Sequence, residues 1–243
     1  MADTFSDTVF PEDYDYPTPD HLIIWLDNYI GDSTKYHHLK KAFASNINPQ
    51  SQTWTMLTDR DFDYLLRVGE PIPVHFGGVP LLLIGFIDPN ECYRAIEQYK
   101  DKRILLITSG TLGKHIIPSI LDNHLEIFVD PATGTPFYSI YVFCGYISGH
   151  CDWAAAYSDY VLMFDHEADL LLRLTRDMAS YYYRQGENSE QTHPQSAHRF
   201  YNWSKKLYTQ NQKMGGRCQQ FINDINNNDI ITKSINNNGN IKT

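Results

Sequence analysis

The sequence lacks the features of secreted and membrane-spanning proteins. Its longest apolar run, Val79 to Phe86, is far shorter than the roughly 18 residues that a membrane-spanning helix needs. The N-terminus has neither a basic region nor an apolar segment, so no secretory signal is predicted. The four cysteines form no CxxC pair, which favours reduced thiols and a cytoplasmic location.

Positive charge is scarce and unevenly distributed. The formal net charge is -9, of which residues 1–20 contribute -6, whereas the stretch from Pro194 to the C-terminus contributes +5. Phosphate contacts need clustered Lys and Arg, so the acidic body argues against binding to nucleic acid or to an anionic membrane. The basic C-terminal stretch is a weak exception to this argument against anionic partners. We expect a protein partner, and the oligomeric state stays open.

Five short apolar runs alternate with helical patterns. Runs without polar alternation are typical of strands buried on both faces. This pattern predicts an α/β fold with a doubly wound, mostly parallel, five-stranded sheet in the 2-1-3-4-5 order of receiver-like and flavodoxin-like folds. The predicted strands are His21–Leu26, Trp54–Leu57, Arg103–Ile107, Ser139–Phe143 and Tyr160–Phe164.

The predicted α/β domain spans residues 21–185. It follows an acidic arm at 1–20, where three prolines and six carboxylates indicate a flexible segment. Prolines and glycines interrupt the pattern at 68–86 and 129–136, which are predicted to be insertions, the first with a short edge strand at Leu81–Phe86.

The C-terminal part is predicted to be an appendage. A polar linker at 186–197 leads to a helical segment at 198–222, and the Asn-rich residues 223–243 are expected to be disordered. The helix from His198 to Met214 should be stable only when its apolar stripe is buried, either on the α/β body or on a partner. The stripe residues are Phe200, Trp203 and Leu207, and the candidate partner surface comprises Phe200, Trp203, Lys205 and Lys206.

A candidate ligand site lies where the first and third predicted strands end. Open parallel sheets bind ligands outside the carboxyl ends of their strands, at the point where the strand order reverses. Glycines there allow close backbone approach, and hydroxyl groups can bind an anion at a helix N-terminus. The candidate residues are Asp27 and Asn28 after the first strand, and Thr108, Ser109, Gly110, Thr111 and Gly113 after the third.

A structural interpretation of these residues stays open beside the functional one. Ser109 or Thr111 can simply cap a helix, with Gly110 making the turn, and Asp27 can shape a loop. The GxxxxGK[ST] pattern of phosphate-binding loops is absent. No cofactor is predicted, although an unknown nucleotide or anion remains an option for this crevice.

No convincing catalytic or metal-binding set is found in the sequence. Cys144, His150 and Cys151 share one loop and could act as metal ligands or as a thiol–imidazole pair, but zinc sites usually have four ligands at tighter spacing. The third predicted strand ends in Thr108 and Ser109, not in the aspartate that a phospho-accepting receiver domain needs. We therefore predict no catalytic residue and no metal.

Several segments resemble an uncharacterised N-terminal α/β domain of invertebrate multidomain proteins, which carry tetratricopeptide repeats or a mono-ADP-ribosyltransferase module. That domain has no established activity, so the resemblance implies an α/β regulatory module associated with such proteins and no transferase activity in this chain. The resemblance covers about residues 21–212, in the blocks Ile23–Gly31, Leu57–Asp59, Ile104–Ile120, Ser139–Gly145 and Ala197–Tyr208.

Two functions follow as expectations. The first is a non-catalytic regulatory or protein-interaction module, because no nucleophile, base and orienting group occur together. The alternative is a nucleotide-handling enzyme, directed at NAD or at phosphate, that uses the crevice at the ends of the first and third strands.

Overall fold

The computed structural model describes residues 19–47, 54–130 and 133–239. Most of the predicted acidic arm lies outside the described residues. The chain divides into two compact units. The α/β unit comprises the residues up to Phe76 and from Pro80 to Glu167, and the helical unit comprises Gly77–Val79 and the residues from Ala168 onward.

The described residues form one sheet of eight strands, in the order β3-β2-β4-β5-β1-β6-β7-β8. The strands are β1 His21–Leu26, β2 Phe43–Ile47, β3 Trp54–Met56, β4 Ile72–Phe76, β5 Val79–Phe86, β6 Arg103–Ser109, β7 Ile140–Phe143 and β8 Val161–Phe164.

Eight α-helices accompany these strands in the described part of the chain. They are α1 His37–Lys41, α2 Asp59–Val68, α3 Pro89–Gln98, α4 Gly110–Asn123, α5 Cys151–Ala154, α6 Glu167–Ser189, α7 Pro194–Lys213 and α8 Gln219–Gly239.

The α/β prediction is confirmed, but the five-stranded sheet is wrong. Strand β1 pairs in parallel with β5 and β6, and β7 continues the parallel pairing from β6 to β8. Beyond β5 the sheet gains β4, β2 and β3, and β2 pairs antiparallel with both of its neighbours. The sheet is therefore mixed. Strand β2 was missed because Phe43–Ile47 falls in a segment whose N-cap residues predict a helix.

The stretch 68–86 is not an insertion. It forms β4 and β5, joined by Gly77 and Gly78 with φ angles of 57° and 78°. Two successive left-handed residues give the tight turn that suits a two-residue hairpin. The predicted edge strand Leu81–Phe86 lies inside the sheet beside β1, which explains its almost fully apolar sequence.

Apolar side chains cover both faces of the parallel strands. On one face, Leu22, Ile24 and Leu26 of β1 belong to a buried cluster that includes residues of α3 and α4. On the other face, Trp25 contacts Phe62 of α2, with ring centroids 5.9 Å apart. Both faces of these strands are therefore buried, as their uninterrupted apolar sequences require.

Helix α2 comes closest to the sheet at a glycine. A Cβ atom at Gly85 would lie 2.7 Å from a methyl carbon of Leu65 and 2.9 Å from one of Ile30. A larger residue at this point of β5 would therefore make the ends of these two side chains shift.

The helical unit replaces the predicted linker and disordered tail. Helix α6 continues to Ser189, α7 begins at Pro194, and α8 extends through Gly239. Composition misled the prediction because the linker and the tail contain no aromatic residue, whereas the helices that extend into them bury several. Trp203 lies 5.1 Å from Tyr182, ring to ring, and Tyr208 stacks on Phe221 at 5.0 Å.

The apolar stripe of α7 is used inside the helical unit. Trp203 and Leu207 are buried and Phe200 is half-buried. The Ser204 hydroxyl donates a hydrogen bond of 2.8 Å to the carbonyl of Ala179 on α6. The helix therefore docks on α6, most of which the prediction had counted in the α/β domain at 21–185.

The second predicted insertion, 129–136, is described except for 131 and 132. An isolated antiparallel bridge joins Val129 to Pro136, and Gly134 has a φ of 67°. Whether the segment is an insertion stays a prediction. Across all described residues, no helix combines the length and the apolar character required to cross a membrane.

Candidate site at the carboxyl ends of the strands

The structure brings the two predicted turns together. Leu26 of β1 is the register partner of Thr108 of β6, so Asp27 and Ser109 follow on neighbouring strands. Adjacent strands lie about 4.8 Å apart, and both turns therefore open at the same edge of the sheet. The spatial part of the sequence prediction is confirmed.

Asp27 shapes the loop that follows β1. Its carboxylate accepts a 2.7 Å hydrogen bond from the amide of Tyr29 and another from the hydroxyl of Tyr36. Its own amide donates to the carbonyl of Phe86, at 3.0 Å. The side chain is buried, and both groups that donate hydrogen bonds to its carboxylate belong to the loop after β1.

Burial raises the pKa of the Asp27 carboxyl above its ordinary value. The hydrogen bonds from Tyr29 and Tyr36 act in the opposite direction, because they stabilise the ionised form, but desolvation is the larger effect. A buried acid with a raised pKa at a switch point is a feature shared with many active sites, and also with structural networks.

Tyr36 holds the loop closed with a strained backbone. Its φ of 58° and ψ of 37° place it in the left-handed region, the sole non-glycine residue with positive φ in the described chain. Its ring makes edge contacts with Trp25 at 5.4 Å and with Phe143 of β7 at 5.7 Å. Burial, and then the nearby charge of Asp27, raise the pKa of the Tyr36 hydroxyl.

A buried lysine supports the same loop. The ammonium group of Lys40 donates to the carbonyl of Asp32 at 2.7 Å and lies 5.1 Å from the ring centroid of Phe62. It is 3.9 Å from a carboxylate oxygen of Asp59. Burial lowers the pKa of Lys40, while Asp59 and Asp32 act against that shift.

Asp32 and Thr34 form a turn before the first helix. Asp32 accepts hydrogen bonds from the amide and the hydroxyl of Thr34, so it closes a turn before the helix. Helix α1 begins at His37, and its Leu39 amide donates to Glu167, at 2.8 Å. A carboxylate from a distant part of the chain therefore satisfies this helix end.

The turn after β6 serves as a helix cap. Ser109 is the N-cap of α4, and its hydroxyl oxygen accepts the amide of Leu112 at 3.4 Å. The Thr108 hydroxyl lies 3.4 Å from the carbonyl of Ser109 and is buried. The structural interpretation of Ser109 is thus the one observed.

The glycines of this turn make room for aromatic rings. A Cβ atom at Gly110 would lie 2.6 Å from the imidazole of His150. One at Gly113 would lie 3.0 Å from the methyl group of Thr108 and 3.5 Å from Trp153. The indole of Trp153 is also 3.3 Å from His150, nitrogen to nitrogen. His150 therefore occupies the space in which a ligand would approach Gly110.

The remaining predicted ligand residues, Asn28 and Thr111, are exposed at the same edge. Nearby, Cys144 is buried and Cys151 is exposed, and burial raises the pKa of the Cys144 thiol. His150 contacts Gly110 and Trp153, which is the role that sequence reasoning missed. Among the described residues, no group of three or more His, Cys, Asp or Glu could hold a metal ion.

The predicted partner surface on α7 is divided between buried and exposed residues. Trp203 is buried against Tyr182, Phe200 is half-buried and stacks on the same tyrosine at 6.1 Å, and Lys205 is exposed. Lys206 is half-buried. The tryptophan therefore belongs to the interior of the helical unit.

Three large apolar side chains are exposed in the loops at the carboxyl ends of the strands. Tyr29 follows β1, Ile87 follows β5 and Tyr146 follows β7, and their exposed fractions are 57%, 54% and 70%. We call these three residues the carboxyl-edge surface. Single exposed apolar residues are ordinary, whereas three at one edge of a sheet are typical of contact surfaces.

A shallow cavity lies elsewhere, between α3 and α4. Its volume is about 290 Å³. None of the predicted ligand residues lines it. The lining residues are Pro89, Asn90, Tyr93, His115, Ile116, Ser119 and Asn123.

Tyr36, Glu167 and His150 complete the two turns and were not predicted as part of the site. Glu167 and His150 lie far along the sequence from the residues they contact, and a Tyr, Glu or His carries no signal of such a contact in one sequence. The strained φ of Tyr36 is likewise invisible before the fold is known.

Comparison with known proteins adds no relative: no family model, curated protein or solved structure matches this chain.

Proposed function

We propose that this chain is a non-catalytic regulatory or protein-interaction module that binds its partner through the carboxyl-edge surface. The observation that carries the proposal is the exposure of Tyr29, Ile87 and Tyr146 beside two turns whose polar groups bond within the chain. Exposed aromatic side chains contribute strongly to protein interfaces.

The strand order supports a finer statement about the fold. The five parallel strands run β5-β1-β6-β7-β8, which is the 2-1-3-4-5 order of receiver-like and flavodoxin-like domains when β5 is counted second. We propose that the three further strands extend such a core. The four free cysteines support a cytoplasmic location.

The test compares partner recovery by proximity labelling with wild type and a triple variant, Tyr29→Ser, Ile87→Ser and Tyr146→Ser. A control variant changes two exposed residues at the other end of the strands, Leu125→Ser and Tyr138→Ser. We expect the triple variant alone to lose the specific partners at an unchanged melting temperature. Equal recovery by all three proteins would contradict the proposal.

A nucleotide-handling enzyme is the second candidate, and Asp27 is the observation in its favour. Its carboxyl is buried at the switch point with a raised pKa. The hydrogen bonds that Asp27 accepts from Tyr29 and Tyr36 count against this function, because both donors belong to the loop that the carboxylate closes. Turnover of NAD or ATP that disappears in Asp27→Asn would establish this candidate and refute the first.

A further inference from the structure

Strand β8 forms one end of the sheet and pairs only with β7. The carbonyl of Phe164 accepts the amide of Cys144, so the backbone of Phe164 is directed at β7. Backbone groups of successive residues in a strand point to opposite sides. Leu162 therefore faces β7 as well, whereas the amide and carbonyl groups of Val161 and Met163 face outward.

The outward backbone groups of Val161 and Met163 form no hydrogen bond with any residue that the structure describes. Their side chains lie in, or pack against, the apolar cluster on one face of the sheet. The side chains are thus held by the core while the outer edge of the backbone is unpaired. An unpaired edge is a template for another strand.

The residue types of β8 do not block such pairing. Its four residues are apolar and include neither proline nor a charged residue, and its register with β7 is regular. Of the protective features that edge strands commonly carry, the strand itself has only its short length. Exposed carboxylates stand on both sides of it, Asp159 before the strand and Asp165 directly after it.

A second copy of this chain suits the edge less well than a segment with basic ends. In an antiparallel pair, outward-facing residues must lie opposite each other. Two of the three registers oppose acids: pairing Val161 with Met163 sets Asp159 against Asp165, and pairing Met163 with itself sets Asp159 against Glu167. The third, Val161 with itself, sets Asp159 against Met163 and gives neither Asp159 nor Asp165 a basic partner. Like charges directly opposite destabilise a strand pair. The acidic residues 1–20 of the chain are disfavoured for the same reason.

We propose that the outer edge of β8 binds an extended segment of a partner protein, with an apolar centre and Lys or Arg at both ends. Backbone hydrogen bonds to Val161 and Met163 supply the pairing, and the flanking Asp159 and Asp165 select the basic ends. This inference rests on the proposed interaction function but uses a surface separate from the carboxyl-edge surface.

The test uses a fluorescein-labelled peptide with two lysines on each side of a Val-Thr-Val-Thr-Val centre. Its binding to the full chain is followed by fluorescence anisotropy, beside a counterpart with glutamate in place of lysine. A third peptide carries N-methyl groups on alternate residues, which removes the donors of one edge. We expect saturable binding of the lysine peptide only, weakened about tenfold or more in the other two.

Two variants assign the binding to the edge. Met163→Pro removes one outward amide without touching the pairing with β7, whereas Met163→Leu keeps that amide and is the matched control. A charge variant, Asp159→Asn with Asp165→Asn, keeps the backbone intact and is informative if the proline variant fails to fold. We expect Met163→Pro and the charge variant to lose affinity and Met163→Leu to retain it.

Absence of saturable binding at millimolar lysine peptide, or equal affinity in Met163→Leu, Met163→Pro and the charge variant, overturns the inference. Equal affinity in the triple variant of Tyr29, Ile87 and Tyr146 is expected, because those residues belong to the other surface. The partner recovery of that triple variant tests the proposed function, and the peptide result tests the β8 edge, so the two can fail separately.

Discussion

The turns after β1 and β6 solve the same problem with different chemistry. Each must close the carboxyl end of a buried strand, where backbone amides need partners. The first turn uses a buried carboxylate, Asp27, held by Tyr29 and Tyr36. The second uses the Ser109 cap and a glycine that admits the ring of His150. Residue types that suggest a ligand site can therefore serve to stabilise a loop instead.

The two turns should fail in different ways when altered. In the turn after β6 there is little space, so a larger side chain at the glycine must displace the ring of His150. In the turn after β1 the hydrogen bonds matter most, so removal of the Asp27 carboxylate leaves its donors without an acceptor.

The largest effect is expected for Gly110→Val. The new side chain would meet the imidazole of His150, and overpacking of this kind costs about 3 kcal/mol of unfolding free energy. Chemical denaturation measures it. Gly145→Val is the control, because a Cβ atom at Gly145 has open space. Adding His150→Ala to Gly110→Val should restore most of the loss, and a loss that persists would show that the ring is not the obstacle.

Asp27→Ala should have the next largest effect. It leaves the Tyr29 amide and the Tyr36 hydroxyl without their acceptor, at a cost of about 2 kcal/mol. Denaturant unfolding beside the exposed neighbour variant Asn28→Ala measures the difference. Equal stability of the two variants would mean that the carboxylate does not hold the loop.

Tyr36→Phe is expected to cost about 1 kcal/mol, since it removes one hydrogen bond and keeps the contacts of the ring with Trp25 and Phe143. Tyr29→Phe, at an exposed position, is the matched control and should be close to neutral. A larger loss of unfolding free energy in Tyr29→Phe than in Tyr36→Phe would show that the hydroxyl of Tyr29, and not that of Tyr36, stabilises the loop.

The smallest effect concerns pH. Burial raises the pKa of Asp27 in the folded chain, so the folded state binds this proton more tightly than the unfolded state does. The stabilisation of the folded state that this proton gives is complete below the ordinary pKa of 3.8. It declines as the pH rises through the raised pKa that Asp27 has in the folded chain. Asparagine imitates the protonated acid and does not titrate.

The difference in unfolding free energy, Asp27→Asn minus wild type, should therefore increase with pH over that window. Denaturant unfolding at a series of pH values above 3.8 measures it. A difference that is constant or decreases with pH would show that the pKa is not raised.

Sequence reasoning succeeded where apolar runs are continuous. The strands β1, β6, β7 and β8 were predicted within two residues of their bounds, since strands buried on both faces need uninterrupted apolar sequence. For β5 the strand at Leu81–Phe86 was predicted, but its place at an edge was wrong, because Pro80 and Gly85 within the strand suggested an irregular insertion. The glycine is there for the approach of Leu65, a contact that no local pattern reveals.

The helical unit was underpredicted for a related reason. Asn and Gln dominate α8, and its buried apolar residues, such as Ile222 and Ile225, are too few to outweigh that composition. Side chain to backbone bonds, such as that from Asn211 to the carbonyl of Leu172 at 2.6 Å, stabilise contacts that hydrophobic periodicity does not encode.

The juxtaposition of the two turns was predicted correctly, and the candidate ligand site itself stays a prediction. Topology alone places Asp27 beside Ser109, because parallel strands share an edge. Whether the edge is open or filled depends on His150 and Tyr36, whose positions follow from the whole fold.

We propose that both turns are structural and that the carboxyl-edge surface binds a protein and not a nucleotide. Thermal unfolding of the wild-type chain with millimolar NAD, ADP-ribose, ATP or inorganic phosphate tests it most directly, because a ligand that binds the folded state must raise the melting temperature. We predict no change with any of the four. A saturable rise that Asp27→Asn abolishes and Asn28→Ala preserves would contradict the claim.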